Sequence, residues 1–267
     1  MLNDKYNLPL SFLGFSLKAI SAFILGWMAA NNLQVDAFAT WAIFFSISMV
    51  LSAGDFGVGQ YILTYMASSE DDSKFFFDHF FNGTSALTVL SFPIFLVGLI
   101  AIEATGLERA FGVLLCSLVA MRVPMIAYGA FMQVKNRIHE KRLLDSVPYV
   151  LAIPILYVMY RNNLGVYLQL LVINTLLTLG SIAVMLRCRS LGVPKYQWFG
   201  LVSVKSTLRK ASPFFLNNAS GIVIYGGFIT IFSFYLSTYQ IAVLAIYHSV
   251  VLSLGYQTYD VIFRNYQ

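Results

Sequence analysis

Eight apolar runs of bilayer length leave this chain few folds to choose from. They fall at residues 9–30, 37–66, 76–102, 110–134, 143–160, 164–188, 208–236 and 239–263. A helix crosses a hydrocarbon core of roughly 30 Å with about 20 apolar residues. Of the 267 residues 58% are hydrophobic and 11% are charged, and the mean hydropathy is +0.74. An ordinary soluble domain is about 25% charged, so too little polar surface is present to cover a soluble particle. The alternating pattern of a membrane barrel is missing, and in lipid a helix satisfies its own backbone groups. The expected fold class is an all-α polytopic membrane protein with about eight transmembrane helices. The first run resembles a signal peptide in its small residues before Asn31 and Asn32. The long polar start MLNDKYNLPLSF and the base Lys18 instead make 9–30 a retained span.

The bases set the orientation. With a cytoplasmic amino terminus, the inner loops hold Lys5, Lys74, Lys135, Arg137, Lys141, Arg142, Arg187, Arg189, Lys195, Lys205, Arg209, Lys210 and Arg264. The outer loops hold Arg109 and Arg161. Such a bias follows the positive-inside rule and puts both termini in the cytoplasm. It also accounts for the net charge of +5 without nucleic acid. Cys116 and Cys188 lie in or near spans, 72 positions apart, and read as structural thiols, not as a disulfide or metal pair. No cofactor or metal is expected; His79, His139 and His248 lack ligand spacing.

Span two and span eight share a pattern. Aligning Ala42-Ile43-Phe44 with Ala245-Ile246-Tyr247 also pairs Ala39 with Ala242 and Ser46 with Ser249. Span one then matches span seven, which gives a six-helix repeat of the kind found in transporters. The stretches DAFATWAIFFSISMVLSAGDFGVGQYILTYMAS (36–68) and LRKASPFFLNNASGIVIYGGFI (208–229) carry a resemblance. The chain resembles the polysaccharide, O-antigen-type flippases of the multidrug/oligosaccharidyl-lipid/polysaccharide exporter superfamily. Asp55 to Gly57 looks like the end of that family's second helix, and Ser212-Pro213 like the start of its seventh.

The resemblance implies a six-helix lobe over 1–190, a cytoplasmic linker over 191–207 and, over 208–267, the first two helices of an incomplete second lobe. It implies a non-enzymatic transporter in the bacterial inner membrane. Its cargo would be an undecaprenyl-pyrophosphate-linked oligosaccharide such as an O-antigen or capsule unit. Membrane lipids and other polysaccharide-assembly proteins would be its neighbours. The alternatives are a truncated remnant of such a flippase, a membrane polysaccharide polymerase or glycosyltransferase, and a drug exporter of the same superfamily. Short outer loops such as NNLQVD leave little room for a reaction site, and bases inside spans suit an anionic cargo better than a cationic one.

Arg122 is the sharpest candidate, 12 residues from either end of span four. That is about 18 Å at 1.5 Å per residue, too far for easy snorkelling. A cation there costs at least about 2.5 kcal/mol unless it meets a partner or a wet cavity. It either contacts the pyrophosphate or an acidic sugar, or joins helices through an ion pair or freed carbonyls at the neighbouring Pro124. Lys18 either snorkels to the cytoplasmic headgroups or, with Arg122, lines a cation-rich lumen. Asp55 lies about 27 Å along span two, near the inner boundary of the core. It pairs with Lys18, caps a kink at Gly54, Gly57 and Gly59, or acts in gating. GDFGVG lacks the strand and helix setting of a phosphate loop. Asp260 reads as interfacial. Asn217 and Asn218 are interhelical hydrogen-bonding groups or cavity groups. Pro93, Pro124, Pro148, Pro154 and Pro213 are kink candidates, and Gly226-Gly227 a hinge or a packing face.

Overall fold

A computed structural model describes residues 7–53, 55–69, 73–100, 106–195, 200–221, 228–233 and 235–251. Their regular structure is entirely helical: α1 (Asn7–Asn32), α2 (Val35–Ala53), α3 (Val58–Ser68), α4 (Ser73–Ile100), α5 (Gly106–Arg122), α6 (Ile126–Val134), α7 (Ile138–Arg161), α8 (Val166–Ser190), α9 (Gly200–Gly221), α10 (Phe228–Phe232) and α11 (Thr238–Val251). Gly54, Gly226, Gly227 and Asp260 lie outside the described residues, as do the side chains of Asn217 and Asn218.

Among the described residues, four segments are long and apolar enough to cross a membrane: Pro9–Asn32, Arg109–Val134, Ile138–Arg161 and Val166–Ser190. Their outward faces are independent support for a lipid setting. On α1, Phe12, Leu13, Ile20, Phe23 and Trp27 are exposed, Trp27 by 59%. α7 exposes Val147, Val150, Leu151, Ile155 and Val158, and α8 exposes Leu179 and Leu186. Water-soluble monomers rarely show apolar surface on this scale.

The opposite face of α1 carries Ser11, Gly14, Lys18, Ser21, Leu25 and Met28, a stripe recurring every three or four residues. It packs chiefly on α7. Small residues let the backbones close up. A Cβ on Gly14 would come 2.8 Å from the Arg142 carbonyl carbon. On the other flank of α7, the Pro148 ring occupies the space above Gly180 of α8.

The breaks between helices follow local chemistry. Span two divides at Asp55–Gly57, and span four divides at Val123–Met125. Pro124 has no N–H to donate back to Ala120, so the chain tightens into bonds from Val123 N to Ala120 O (3.2 Å) and from Met125 N to Arg122 O (3.0 Å). Pro93, Pro148, Pro154 and Pro213 instead lie inside continuous helices. At Pro213 the Arg209 carbonyl, which proline cannot reach, accepts from the Ser212 hydroxyl at 2.9 Å. The expected linker is helical from Gly200 onward. Buried Val204, Thr207 and Ala211 there form one helical face against α3 and α4.

The buried apolar side chains form two layers. One gathers Leu25, Met28, Phe38, Trp41, Tyr149, Leu156, Leu170 and Ile173 with Ile229 and Ile241. The other gathers Val58, Tyr61, Met66, Phe80, Leu87, Val123, Phe131, Val184 and Cys188. On α7 and α8 the boundary passes between Leu144 and Tyr149, and between Leu177 and Val184. Both cysteines are buried free thiols.

Candidate functional site

Polar side chains collect at the boundary between these layers. Arg122 ends α5 because Pro124 stops the helix, and a base in a last turn is favoured by the helix dipole. Its Nη2 donates to Asn174 Oδ1 of α8 at 2.8 Å. Asn174 is 1% exposed, and its amide nitrogen donates to Leu170 O at 3.0 Å, which fixes the side chain with its oxygen toward Arg122. One turn on, Thr178 donates to Asn174 O at 2.8 Å and lies 3.4 Å from Leu118 O of α5. These bonds stitch α5 to α8 at mid-span.

Tyr149 of α7 is buried, 8% exposed. The Lys18 ammonium sits over its ring, 5.4 Å from the centroid. Lys18 therefore belongs to the inward stripe of α1, where a cation gains from an aromatic face. One turn before Tyr149 is Asp145, which pairs with Lys141 Nζ at 2.5 Å. Lys141's stem crosses Gly129 of α6, where a Cβ would meet its Cε at 2.6 Å. Three polar contacts thus lie inside the helices: Lys18 on the Tyr149 ring between α1 and α7, Lys141 on Asp145 within α7, and Arg122 on Asn174 between α5 and α8.

Asp55 and Gly57 lie elsewhere. Asp55 Oδ1 accepts from Gly57 N at 3.1 Å and Oδ2 from Gly59 N at 2.9 Å. The carboxylate is thus the internal anion at the start of α3, where amides point outward and the dipole favours negative charge. That is a capping geometry, and it fills the place a bound phosphate would take. Phe56 and Gly57 both have positive φ, +48° and +78°. Gly57 rests on the α9 backbone, and the Phe56 ring lies tilted by 30° against Phe215, with centroids 5.0 Å apart. Asp55 is not part of the Lys18 neighbourhood described above.

Asp145, Tyr149 and Asn174 were not singled out from sequence. For Asp145 a signal existed: it stands four residues after Lys141, the spacing of a helical ion pair. Expecting the span to begin at 143 hid it, because α7 begins at Ile138. A second charge cluster joins α7 to α8: Glu140 pairs with Arg137 Nη1 and Arg187 Nε, both at 2.7 Å. Comparison of the chain with family models, curated proteins and solved structures finds no match.

Proposed function

We propose that this chain carries an anionic lipid-linked saccharide across a bacterial inner membrane, as a flippase of the polysaccharide exporter type, without making or breaking bonds. The observation that carries the reading is two bases turned into a bundle whose outer faces are apolar, Lys18 over the Tyr149 ring and Arg122 bonded to the buried Asn174. Ionisable groups at such depth are expensive and mark substrate or ion paths. A diphosphate on a polyprenyl chain offers the matching charge while its tail stays in lipid.

In this reading α2 with α3, α5 with α6, and α9 with α10 each make one crossing, and α11 belongs to the eighth. Six crossings form one lobe and two open a second. The basic loops around Arg137, Arg187 and Lys205 face the cytoplasm, as do both termini. The repeat inferred from sequence has a counterpart in packing that supports it. α2 packs on α11, and the paired alanines Ala39, Ala42, Ala242 and Ala245 are buried in one core layer.

The test is translocation in proteoliposomes of a polyprenyl-diphosphate-linked oligosaccharide with a fluorescent sugar, read as the fraction that a membrane-impermeant quencher cannot reach. The full chain should carry it faster than protein-free vesicles. Arg122→Ala and Lys18→Ala should each slow it by roughly tenfold or more. Transport by Arg122→Ala at the unaltered rate removes the cation from the mechanism.

A further inference from the structure

We propose that the first three turns of α9 are an interfacial seat for an anionic phospholipid, with Leu201 and Val202 among the acyl chains and Lys205 and Arg209 on the headgroup phosphate. One face of this stretch is already occupied, since Val204, Thr207 and Ala211 are buried against α3 and α4. The opposite face is open. Leu201 is 70% exposed and Val202 87%, and Lys205 and Arg209 follow one and two turns later, also exposed. A helix that holds apolar and basic side chains together against its surroundings suits the membrane interface, where acyl chains and phosphates are neighbours. Trp198 and Phe199 directly precede it in sequence, and aromatic rings favour the same zone.

The level in the membrane is set by α4. Asp78 and His79 are followed by residues 80–100 without an ionisable side chain. The Ser203 hydroxyl donates to Asn82 Oδ1, so α9 starts where α4 turns from charged to uncharged. Two turns on, the α9 backbone at Ala211 and Phe215 lies against Gly57, and the helix has left that border. Charge decides the kind of lipid. From Arg187 to Lys210 the chain has six bases and no acid, and α9 itself has no acid. Lys210 turns its ammonium over the Tyr65 ring of α3, 5.6 Å from the centroid, which leaves Lys205 and Arg209 on the open side. Neither of these two forms an ion pair among the described residues. Their i, i+4 spacing sets them roughly 6 Å apart at the Cβ atoms, so one phosphate can bridge them. A headgroup with a net negative charge matches them; a zwitterionic one brings its own cation.

The experiment reads lipid contact at α9 in the full chain. Ser206 is exposed on the same stretch, and Cys116 and Cys188 are buried, so a maleimide dye on Ser206→Cys marks α9 alone while the protein is folded. A stoichiometry of one dye per chain certifies that each variant is folded. The labelled chain is placed in phosphatidylcholine nanodiscs. Its dye is quenched with phosphatidylglycerol, or in parallel with phosphatidylcholine, each carrying a spin label near the head of one acyl chain. Phosphatidylglycerol should be preferred by roughly fivefold or more, the worth of one base beside an anionic surface. Lys205→Gln with Arg209→Gln should bring the preference close to parity, as should salt at about 1 M, where charges are screened within about 3 Å. Arg109→Gln with Arg161→Gln, bases elsewhere in the chain, should leave it unchanged. Absence of quenching by either lipid puts this stretch in water and overturns the seat. Equal quenching by both lipids, or a preference that survives the loss of Lys205 and Arg209, overturns the headgroup assignment. No cargo enters this measurement, so its failure and that of the transport reading are separate results.

Discussion

Gly57→Ala is the most exacting test of the fold, because two independent penalties meet at one atom. The residue has φ +78°, a left-handed conformation. An L side chain pays about 1–2 kcal/mol to adopt it. A Cβ there would also lie 2.5 Å from Phe215 N and 2.7 Å from Ala211 O. Those atoms belong to the α9 backbone and cannot rotate aside as a side-chain tip would. Overpacking of this kind costs about 1–3 kcal/mol. The total is about 2–5 kcal/mol, and at about 2–4 °C per kcal/mol the melting point should fall by roughly 4–20 °C. The chain supplies its own reporter. Its two cysteines are both buried, so a thiol-reactive dye in detergent fluoresces as they emerge. Gly26→Ala is the control, since a Cβ there meets nothing within 4 Å. Alanine in a helix interior gains about 0.5–1 kcal/mol over glycine. If the two variants melt within about 2 °C of each other, the close docking of Gly57 on α9 is wrong.

Three further outcomes are expected from the same melt. Asp55→Ala strips the acceptor from Gly57 N and Gly59 N and should destabilise by about 2 kcal/mol, with Asp55→Asn costing about half as much because one amide oxygen still accepts. Glu140→Gln loosens the Arg137 and Arg187 pairs and should cost about 1 kcal/mol at low salt, a difference that shrinks when salt is raised to about 1 M. Ala42→Leu and Ala245→Leu should each cost about 1–3 kcal/mol, since both alanines are buried in the layer where α2 meets α11; a neutral result at both positions would mean that the seam between the repeats is not packed.

Hydropathy alone located the helices well, because lipid forces long apolar runs into helix whatever their neighbours. Of the several kink candidates read from local residues, two fall where described helices break. Asp55–Gly57 and Pro124 are local chemistry, and local chemistry is written in adjacent residues. Contacts between helices are not. That Arg122 meets Asn174, 52 positions away, depends on how α5 lies against α8. A neutral amide in an apolar run gives no warning of this. Lys141 and Asp145 show a different failure, since an assumed loop boundary separated two residues that share one helix face. Pro148 and Pro154 show a third: a proline marks a missing hydrogen bond, but neighbouring packing decides whether the helix ends there.

The polar waist between the two apolar layers gives the bundle a plane of easy slip. Apolar side chains that interlock lose contact area with any displacement, and nothing replaces it until a whole notch has been crossed. Hydrogen-bonding groups behave otherwise, because a donor that leaves one oxygen for the next ends near its starting energy. Asn174, Thr178, Arg122, Lys18 and Asp145 lie where such exchanges are available, with stiff material above and below. A twist of one half of the molecule against the other would concentrate there, like shear in a lubricated joint.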